Sequence, residues 1–364
     1  MTSISDQRLA CLRARMSATG TDLVAIGPSS HMAFMAGLDP HGDERPVMLL
    51  VSHDHAGFLM PALNVDSSRQ KTKLTFYPWR DDDGPDAALA ALLQACRLPD
   101  KPSVVIDETM RADFCLLLLD ALPGASRRFT GDTVGFLRAR KDADEYERLK
   151  ASALLNDKAA LAGFDALKPG ITELEVAAAI RDVYKAAGAV PVFTSVCFGA
   201  NGAFPHHHTG ETKLAPGDAV LIDTGGRLDS YPSDMTRVGF FGEPTQAFET
   251  VHTIVDRAVE AALAAARPGI AAKTVDKAAR DVIAQAGYGD FFTHRTGHGL
   301  GIDIHEPPYL TATSETVLDE GMVFSIEPGI YLPDRFGLRL EEIVILREDG
   351  PEILSGMPRD AQLR

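Results

Sequence analysis

The sequence predicts an α+β fold in two parts, a smaller α/β domain over residues 1–135 and a larger duplicated domain over residues 136–364. Three observations predict it. Helix-like and strand-like pieces alternate up to about Thr130, a charged run from Arg138 to Tyr146 opens a long helical stretch, and beyond it two stretches of chain repeat each other. Lys168-Pro169-Gly170-Ile171 opens a helical pattern that carries Arg181-Asp182-Val183 and stops at Gly188. Arg267-Pro268-Gly269-Ile270 opens another, with Arg280-Asp281-Val282, that stops at Gly287, and the offsets within the two copies agree. Two equivalent units of helix and strand imply an antiparallel sheet backed by helices.

In the first domain, Arg8 to Thr19 reads as an amphipathic helix ending at Gly20, followed by the apolar strand Leu23-Val24-Ala25-Ile26, which stops at Gly27-Pro28. Pro46 to Ser52 reads as a second strand leading into Gly57-Phe58-Leu59-Met60. Asp81-Asp82-Asp83-Gly84-Pro85 is a turn, Asp86 to Arg97 a helix, and Ser103 to Asp107 a buried strand. The charged junction then begins a long helix.

In the first repeated half, Thr172 with Glu175 three residues on forms a capping-box pattern, and Val176, Ile180, Val183, Tyr184 and Ala187 supply an apolar helix face. Val192 to Cys197 and Ala219 to Ile222 read as buried strands. In the second half the helix face is Val275, Ala279, Val282 and Ala286, with strands at Val323 to Ile326 and Ile343 to Leu346. Carried onward, the register sets His206 opposite His305 and the Gly217-to-Asp223 turn and strand opposite Gly321-to-Glu327, so acids fall on acids. Asp234 and Glu341 close the halves, with Arg237 and Arg339 nearby. Carboxylates facing each other across the seam of a duplicated fold suggest a two-metal site.

Composition sets bounds. With 364 residues, 45% hydrophobic and 24% charged, the chain is ordinary globular material large enough for two domains. A formal net charge of −15 and no basic stripe argue against a nucleic-acid partner. Four cysteines, Cys11, Cys96, Cys115 and Cys197, have no metal-type or disulfide-type spacing, which fits a reducing compartment. The stretch Met1 to Arg8 lacks the apolar run of a leader, and no segment reaches the roughly 18 apolar residues of a membrane span. A cytoplasmic location without membrane association is expected.

Each acid has a plain structural alternative. Asp223 is read as ending a strand before Gly225-Gly226, where the chain turns away, and Asp there could simply cap a turn; Asp234 could be a surface turn residue and Glu341 an edge-strand charge. Glu327 shifts the balance, because the apolar run Met322 to Ile326 leads straight into it and buried unpaired carboxylates are rare. His298, in Thr296-Gly297-His298-Gly299-Leu300-Gly301 and flanked by His294 and His305, is the nitrogen donor that joins these four carboxylates. A set of one imidazole and oxygens, with no thiolate, suits Mn²⁺ and tolerates Co²⁺, Fe²⁺ or Zn²⁺. Of His206-His207-His208, a tract ordinarily exposed, the first is singled out as the register mate of His305.

These residues resemble those of the M24 metallopeptidases, the methionine aminopeptidase, aminopeptidase P and prolidase family with the pita-bread fold. The likeness covers roughly Lys141 to Leu346 in the order Asp, Asp, His, Glu, Glu. The first domain resembles the creatinase/prolidase N-terminal domain in pattern, with His31 to Leu38 similar to a segment that usually begins with Asn and ends Tyr-Leu-Thr-Gly-Phe. That domain favours the prolidase and aminopeptidase P branch. The resemblance implies Asp223, Asp234, His298, Glu327 and Glu341 as ligands of two divalent ions, with Asp234 and Glu341 bridging. It also implies His206, His305, Glu327 and Arg339 in catalysis, and His206, His294, His305 and Arg339 around the substrate. Pro232 before Ser233-Asp234, and Leu340-Glu341-Glu342 in place of Ile-Glu-Asp, depart mildly from the family pattern. Creatinase-type relatives lack the metal set.

The expected activity is hydrolysis of Xaa-Pro bonds in small peptides with proline at the second position, by a prolidase-like dipeptidase or an aminopeptidase P, in a homodimer. A hydroxide bridging the ions would attack the scissile carbonyl while Glu327 manages its proton and His305 meets the oxyanion. Arg339 would hold Glu341 or meet a substrate carboxylate. The alternatives are a non-peptidic hydrolase or lyase on the same fold, of the ectoine-derivative or sulfonium type, and a silent binding protein.

Overall fold

The computed structural model describes residues 4–40 and 42–364, so Met1 to Ser3 of the stretch read for a leader lie outside the described residues. The chain divides into two units between Arg138 and Ala139. In the first, the helix α1 (Ile4–Thr19) ends at Gly20, whose φ of 61° reverses the chain into β1 (Leu23–Ile26). There follow α2 (Ser30–Ala36), β2 (Met48–Ser52), β3 (Ala56–Pro61), α3 (Ala62–Arg69), β4 (Thr75–Trp79), α4 (Asp86–Cys96), β5 (Ser103–Ile106), α5 (Ala112–Asp120) and β6 (Ser126–Phe129). The strands form one mixed sheet in the order β4-β3-β2-β1-β5-β6, antiparallel at β1/β2 and β2/β3 and parallel elsewhere. β1 and β2 are buried on both faces, which explains their unbroken apolar runs. This is the α/β first domain that the sequence predicts.

Past α6 (Val134–Ala139), the second unit begins with α7 (Ala143–Asp165) and α8 (Glu173–Ala186), each opened by a complete capping box, from Asp142 with Glu145 and from Thr172 with Glu175. Next come β7 (Val190–Phe198), β8 (Ala219–Leu228), β9 (Tyr231–Pro232) and β10 (Met235–Phe240). The second half brings α9 (Gln246–Ala265), α10 (Ala272–Gln285), β11 (Gly297–Gly299), β12 (Glu306–Leu310), β13 (Val323–Ile326), β14 (Gly329–Leu332), β15 (Phe336–Arg339), β16 (Glu342–Arg347), β17 (Gly350–Ile353) and β18 (Gln362–Leu363). Helix, helix and three strands recur in the same order, β7-β8-β10 in one sheet and β11-β13-β16 in the other.

Backbone pairing confirms the repeat. Gly170 N donates to Leu214 O and Leu214 N to Ile171 O; in the second half Gly269 N donates to Leu318 O and Leu318 N to Ile270 O. Gly170 and Gly269 both take left-handed φ, as do Gly188 and Gly287, and Gly217 and Gly321, so the matching punctuation read in the sequence is a matching backbone path. α7 and α8 bury Ala159, Phe164, Val176, Ile180 and Tyr184 against Val196, Val220 and Ile222 of the first sheet. α9 and α10 bury Phe248, Val251, Val255, Val259, Val275, Ala279 and Ile283 together with Val238, Phe324 and Ile326. Each large apolar side chain so covered contributes about 1.5–3 kcal/mol.

Four details differ from the sequence reading. The strand read as buried from Val192 to Cys197 is buried only from Val196 on, with Val192 exposed. Ala187 and Ala286 are exposed beyond their helices, and in α10 Ile283 is buried where Val282 is half-buried. α9 was not anticipated, although Thr245 caps it and Phe248, Val251, Val255, Ala258, Val259 and Ala262 face inward at helical spacing. Asp223 does not end its strand: β8 continues through Gly225 and Gly226 to Leu228. A Cβ on Gly225 would lie 2.3 Å from Ser233 O, and one on Gly226 would lie 2.4 Å from the Tyr184 ring, so the glycines serve close packing rather than a turn.

The last residues are strapped across the first sheet. β18 pairs in parallel with β10, Ser355 Oγ donates to Asp157 Oδ1 at 2.6 Å, and Arg359 pairs with Asp256, Glu260 and Glu342. Beneath the strap the fully buried Arg237 guanidinium donates to Met357 O at 2.7 Å, Pro358 O at 3.1 Å, Glu342 Oε1 at 3.0 Å and Glu341 O at 2.5 Å. No helix among the described residues is long and apolar enough to cross a membrane.

Candidate metal centre

The four acids and His298 come from different strands and meet at the seam between the halves. Asp223 lies within β8 and Asp234 on the residue before β10. Those strands pair with Thr236 opposite Asp223, and Gly225 lets the Ser233 carbonyl approach so that Asp234 is brought beside it. In the second half, a Cβ on Gly297 would lie 1.9 Å from Ser325 O, so β11 can press against β13 only as glycine, and His298 arrives next to Glu327. Glu341 N donates to Thr236 O across the seam, setting the Glu341 carboxylate against the first half.

Ligand-type atoms of Asp223, Asp234 and Glu341 lie within 4.8 Å of one another, as do those of His298, Glu327 and Glu341, and those of Asp234, His298 and His305. Asp234 and Glu341 each belong to two of these groups. Asp234, His298 and Glu341 are buried. The surface-turn alternative for Asp234 therefore fails, and so does the edge-strand alternative for Glu341, which leads into β16 between β13 and β17.

His298 Nδ1 lies 3.1 Å from the Gly299 carbonyl, which can only accept, so the proton is on Nδ1 and the Nε2 lone pair faces the acids. That lone pair stands 3.3 Å from Glu327 Oε1 and 3.6 Å from Asp234 Oδ2. Burial, followed by the neighbouring His305, pushes the imidazole down to about 3 and keeps it neutral. A lone pair against carboxylates is unfavourable without a shared cation. The acids respond in kind: burial first, then their mutual charge, pushes Asp234 and Glu341 well above the usual carboxylate range, and burial brings Glu327 to about 7 although Arg339 opposes it. Among the described residues, the buried oxygens without a hydrogen-bond donor include Asp223 Oδ1 and Glu341 Oε1. A donor set of carboxylates and one neutral imidazole, with orphaned oxygens turned together, fits hard divalent cations.

One cation of the protein's own lies beside the acids. Buried Arg339 donates to Asp223 Oδ2 at 2.6 Å, to Thr236 Oγ1 at 2.9 Å and to the Tyr331 hydroxyl at 2.9 Å, while Thr236 Oγ1 in turn donates to Glu341 Oε2 at 2.9 Å. It thus holds Asp223 directly and Glu341 through Thr236. Tyr331 passes its own proton to His294 Nε2 at 2.7 Å, and His294 Nδ1 donates to Arg295 O at 2.7 Å. Burial, then Arg339, pushes His294 down to about 4, so it accepts as a neutral ring.

His305 is exposed at the mouth, its ring centroid 4.1 Å from that of His298. His206 is exposed too, yet near enough that its charge would lower both His294 and His305. Of the triple histidine, His208 points outward and His207 turns in to buried Glu173 at 2.9 Å. All nine sequence-derived site residues thus converge. Arg237 does not, being turned to the strap on the opposite face. Tyr331 and Thr236 were missed, since a tyrosine in Gly329-Ile330-Tyr331-Leu332 and a threonine inside a buried strand read as packing.

Comparison with known proteins places this geometry. The model of metallopeptidase family M24 matches residues 147–348. The Xaa-Pro dipeptidase of Pyrococcus furiosus is 31% identical over 356 residues, covering 97% of this chain and 99% of the relative. The crystal structure of dipeptidase PepE from Mycobacterium ulcerans superposes with a TM-score of 0.93 at 34% identity, over 99% of this chain and 98% of that one. That of an X-Pro aminopeptidase from Thermotoga maritima gives 0.81 at 28% identity, over 96% and 100%.

Proposed function

Because the chain belongs to metallopeptidase family M24, with that family's pita-bread fold in its second unit, we propose that it hydrolyses the Xaa-Pro bond of small peptides, as a prolidase-like dipeptidase or an aminopeptidase P. The observation that carries the reading is the convergence of Asp223, Asp234, His298, Glu327 and Glu341 with orphaned, desolvated oxygens. These residues would hold two divalent ions, Mn²⁺ first among them, and Asp234 and Glu341 each belong to two of the candidate ligand groups. For the substrate, support comes from full-length similarity to an Xaa-Pro dipeptidase. The family resemblance supports a homodimer. Four free cysteines support a cytoplasmic setting.

An Xaa-Pro bond is a tertiary amide without an N–H, so no enzyme can grip it through that hydrogen. When bound, the ions would supply a water-derived nucleophile at neutral pH and polarise the scissile carbonyl. Glu327 takes the proton of the nucleophile and returns it to the leaving proline nitrogen. His305, whose imidazole is lowered from its ordinary value by partial desolvation at the mouth of the site, donates to the developing oxyanion. His206 and His294 flank the substrate, and Arg339 keeps Asp223 and Glu341 aimed.

The test strips the purified protein of metal, restores Mn²⁺ and follows an Xaa-Pro dipeptide and an Xaa-Pro-Yaa tripeptide by mass spectrometry. Cleavage of the dipeptide alone means a prolidase-like enzyme, and cleavage of the tripeptide means an aminopeptidase P. If metal-loaded protein cleaves neither, the peptide reading fails and the substrate is non-peptidic.

A further inference from the structure

His206 and His305 occupy equivalent positions in the two halves, and so do the residues after them, His207 and Glu306. His206 lies in a turn within an irregular segment and His305 in the bend before β12, where side chains wander unless something fixes the backbone. Each segment is closed on a buried carboxylate.

In the second half that carboxylate is Glu306. Its Oε1 accepts from Lys141 Nζ at 2.9 Å, with side-chain exposures of 5% and 0%, and its Oε2 accepts from Asp303 N at 3.3 Å. A Cβ on Gly301 would lie 2.2 Å from Glu306 Oε1, so the loop before His305 wraps the carboxylate closely. Lys141 is itself fixed, since its N–H donates to Gly321 O at 2.8 Å. In the first half the carboxylate is Glu173, wholly buried at the start of α8. It accepts from Phe198 N at 2.9 Å, Asn201 Nδ2 at 2.8 Å, Gly210 N at 2.9 Å and His207 Nε2 at 2.9 Å, which gathers the whole 198–210 loop.

The chain geometry turns these anchors into aiming devices. Successive side chains on extended backbone point to opposite sides. Glu306 opens β12, whose residues alternate buried and exposed, so burying Glu306 turns His305 out to the cleft. In the first half His207 N donates to Phe204 O at 3.0 Å, closing a turn on which His206 sits, and the side chains run exposed, half-buried, exposed through His206, His207 and His208. We infer that His207 and Glu306 are positioning residues: the Glu173–His207 and Lys141–Glu306 pairs fix the direction of His206 and His305. The inference rests on the reading of those two histidines as substrate contacts. The pairs are equivalent in place and opposite in sense, because the loop supplies the hydrogen-bonding histidine in the first half and the carboxylate in the second.

Lys141→Met or Glu306→Gln alone strands a buried charge and risks the fold, whereas the double variant K141M/E306Q removes both charges and keeps nearly the same volume. With Mn²⁺ restored, the double variant is expected to keep its metal content and to lose about 10- to 100-fold in kcat/KM on an Xaa-Pro dipeptide, the scale of a misplaced contact. Added to His305→Ala, it should change kcat/KM by less than about twofold, because residues acting through one group are not additive. Its His305 ring signal in a ¹H–¹³C spectrum should shift, with that of His252 unmoved. A loss that multiplies fully with that of His305→Ala, or unchanged activity with an unmoved His305 signal, would overturn the inference. Should the wild-type protein cleave no peptide, the functional reading fails separately, and the ring signal alone decides: displaced supports the anchor, unmoved removes it. His207→Gln with His206→Ala repeats the test in the first half.

Discussion

Metal affinity at this centre should rise steeply with pH, through the acids and not through the imidazole. The perturbation is a change from pH 6 to pH 8 with Mn²⁺ as the titrant. His298 is already neutral at both, being pushed down to about 3. Glu327 lies near 7, where burial outweighs the pull of Arg339. A carboxylate at that value is ionised in about one molecule in eleven at pH 6 and about ten in eleven at pH 8, so this group alone raises affinity about tenfold, ~1.4 kcal/mol. Asp234 and Glu341, also raised by burial and then by the charge of neighbouring carboxylates, add to the slope. The sign for stability follows. These carboxyls bind protons more tightly folded than unfolded, so without metal the contribution of Glu327 is complete below its ordinary value of 4.5 and is lost as pH rises through about 7, and those of Asp234 and Glu341 have the same sign. Metal-induced stabilisation should therefore be larger at pH 8 than at pH 6. Isothermal titration calorimetry in two buffers of different ionisation heat measures both affinity and the protons released. An affinity flat from pH 6 to pH 8, with no proton released, would refute the argument that burial holds these acids protonated.

Arg339→Lys keeps the charge but offers a single ammonium where Asp223, Thr236 and Tyr331 are spread around a planar fork; a loss of about 1.5–3 kcal/mol per forfeited charged hydrogen bond is expected in urea unfolding. Gly297→Ala forces a methyl into the Ser325 carbonyl, so thermal denaturation and metal analysis should show an unstable protein that retains little Mn²⁺. His305→Ala should leave metal content unchanged and lower kcat by the equivalent of about 2.7–4 kcal/mol; normal turnover would end its oxyanion role. His294, near 4, should stay neutral above pH 5 in an NMR titration. As its folded value lies below the ordinary 6.5, its contribution to stability falls as pH drops from 6.5 towards 4.

What the sequence made legible was whatever leaves a periodic or punctuated trace. The repeat was visible because Gly170 and Gly269 occupy left-handed turns that few other residues tolerate, and the acids were visible because each follows or precedes an apolar strand. Gly225-Gly226 misled for a physical reason: glycine marks a turn and a close approach equally, and only the Ser233 carbonyl and the Tyr184 ring tell which. α9 has a clear trace, Phe248 to Ala262 at helical spacing, that lies between the repeats and belongs to neither matching motif. Lys141, Glu173, His207 and Tyr331 left none. Their roles depend on partners far away in sequence, as with Lys141 and Glu306, and one chain carries no record of such meetings.

The strap has a consequence for how the protein is made. Arg237, one residue from Thr236 and bonded to the Glu341 carbonyl, reaches its full set of acceptors only when Met357 and Pro358 lie over it, and β10 gains its second neighbour only from Gln362 and Leu363. During synthesis the first unit, whose sheet closes with Phe129, has every strand it needs while most of the second is still unmade. The candidate metal centre is completed later, since its strap follows each of its ligand-type residues in the chain. Asp223, Asp234, His298, Glu327 and Glu341 all precede the last of their supports, and their surroundings are complete only once Gln362 and Leu363 have joined β10.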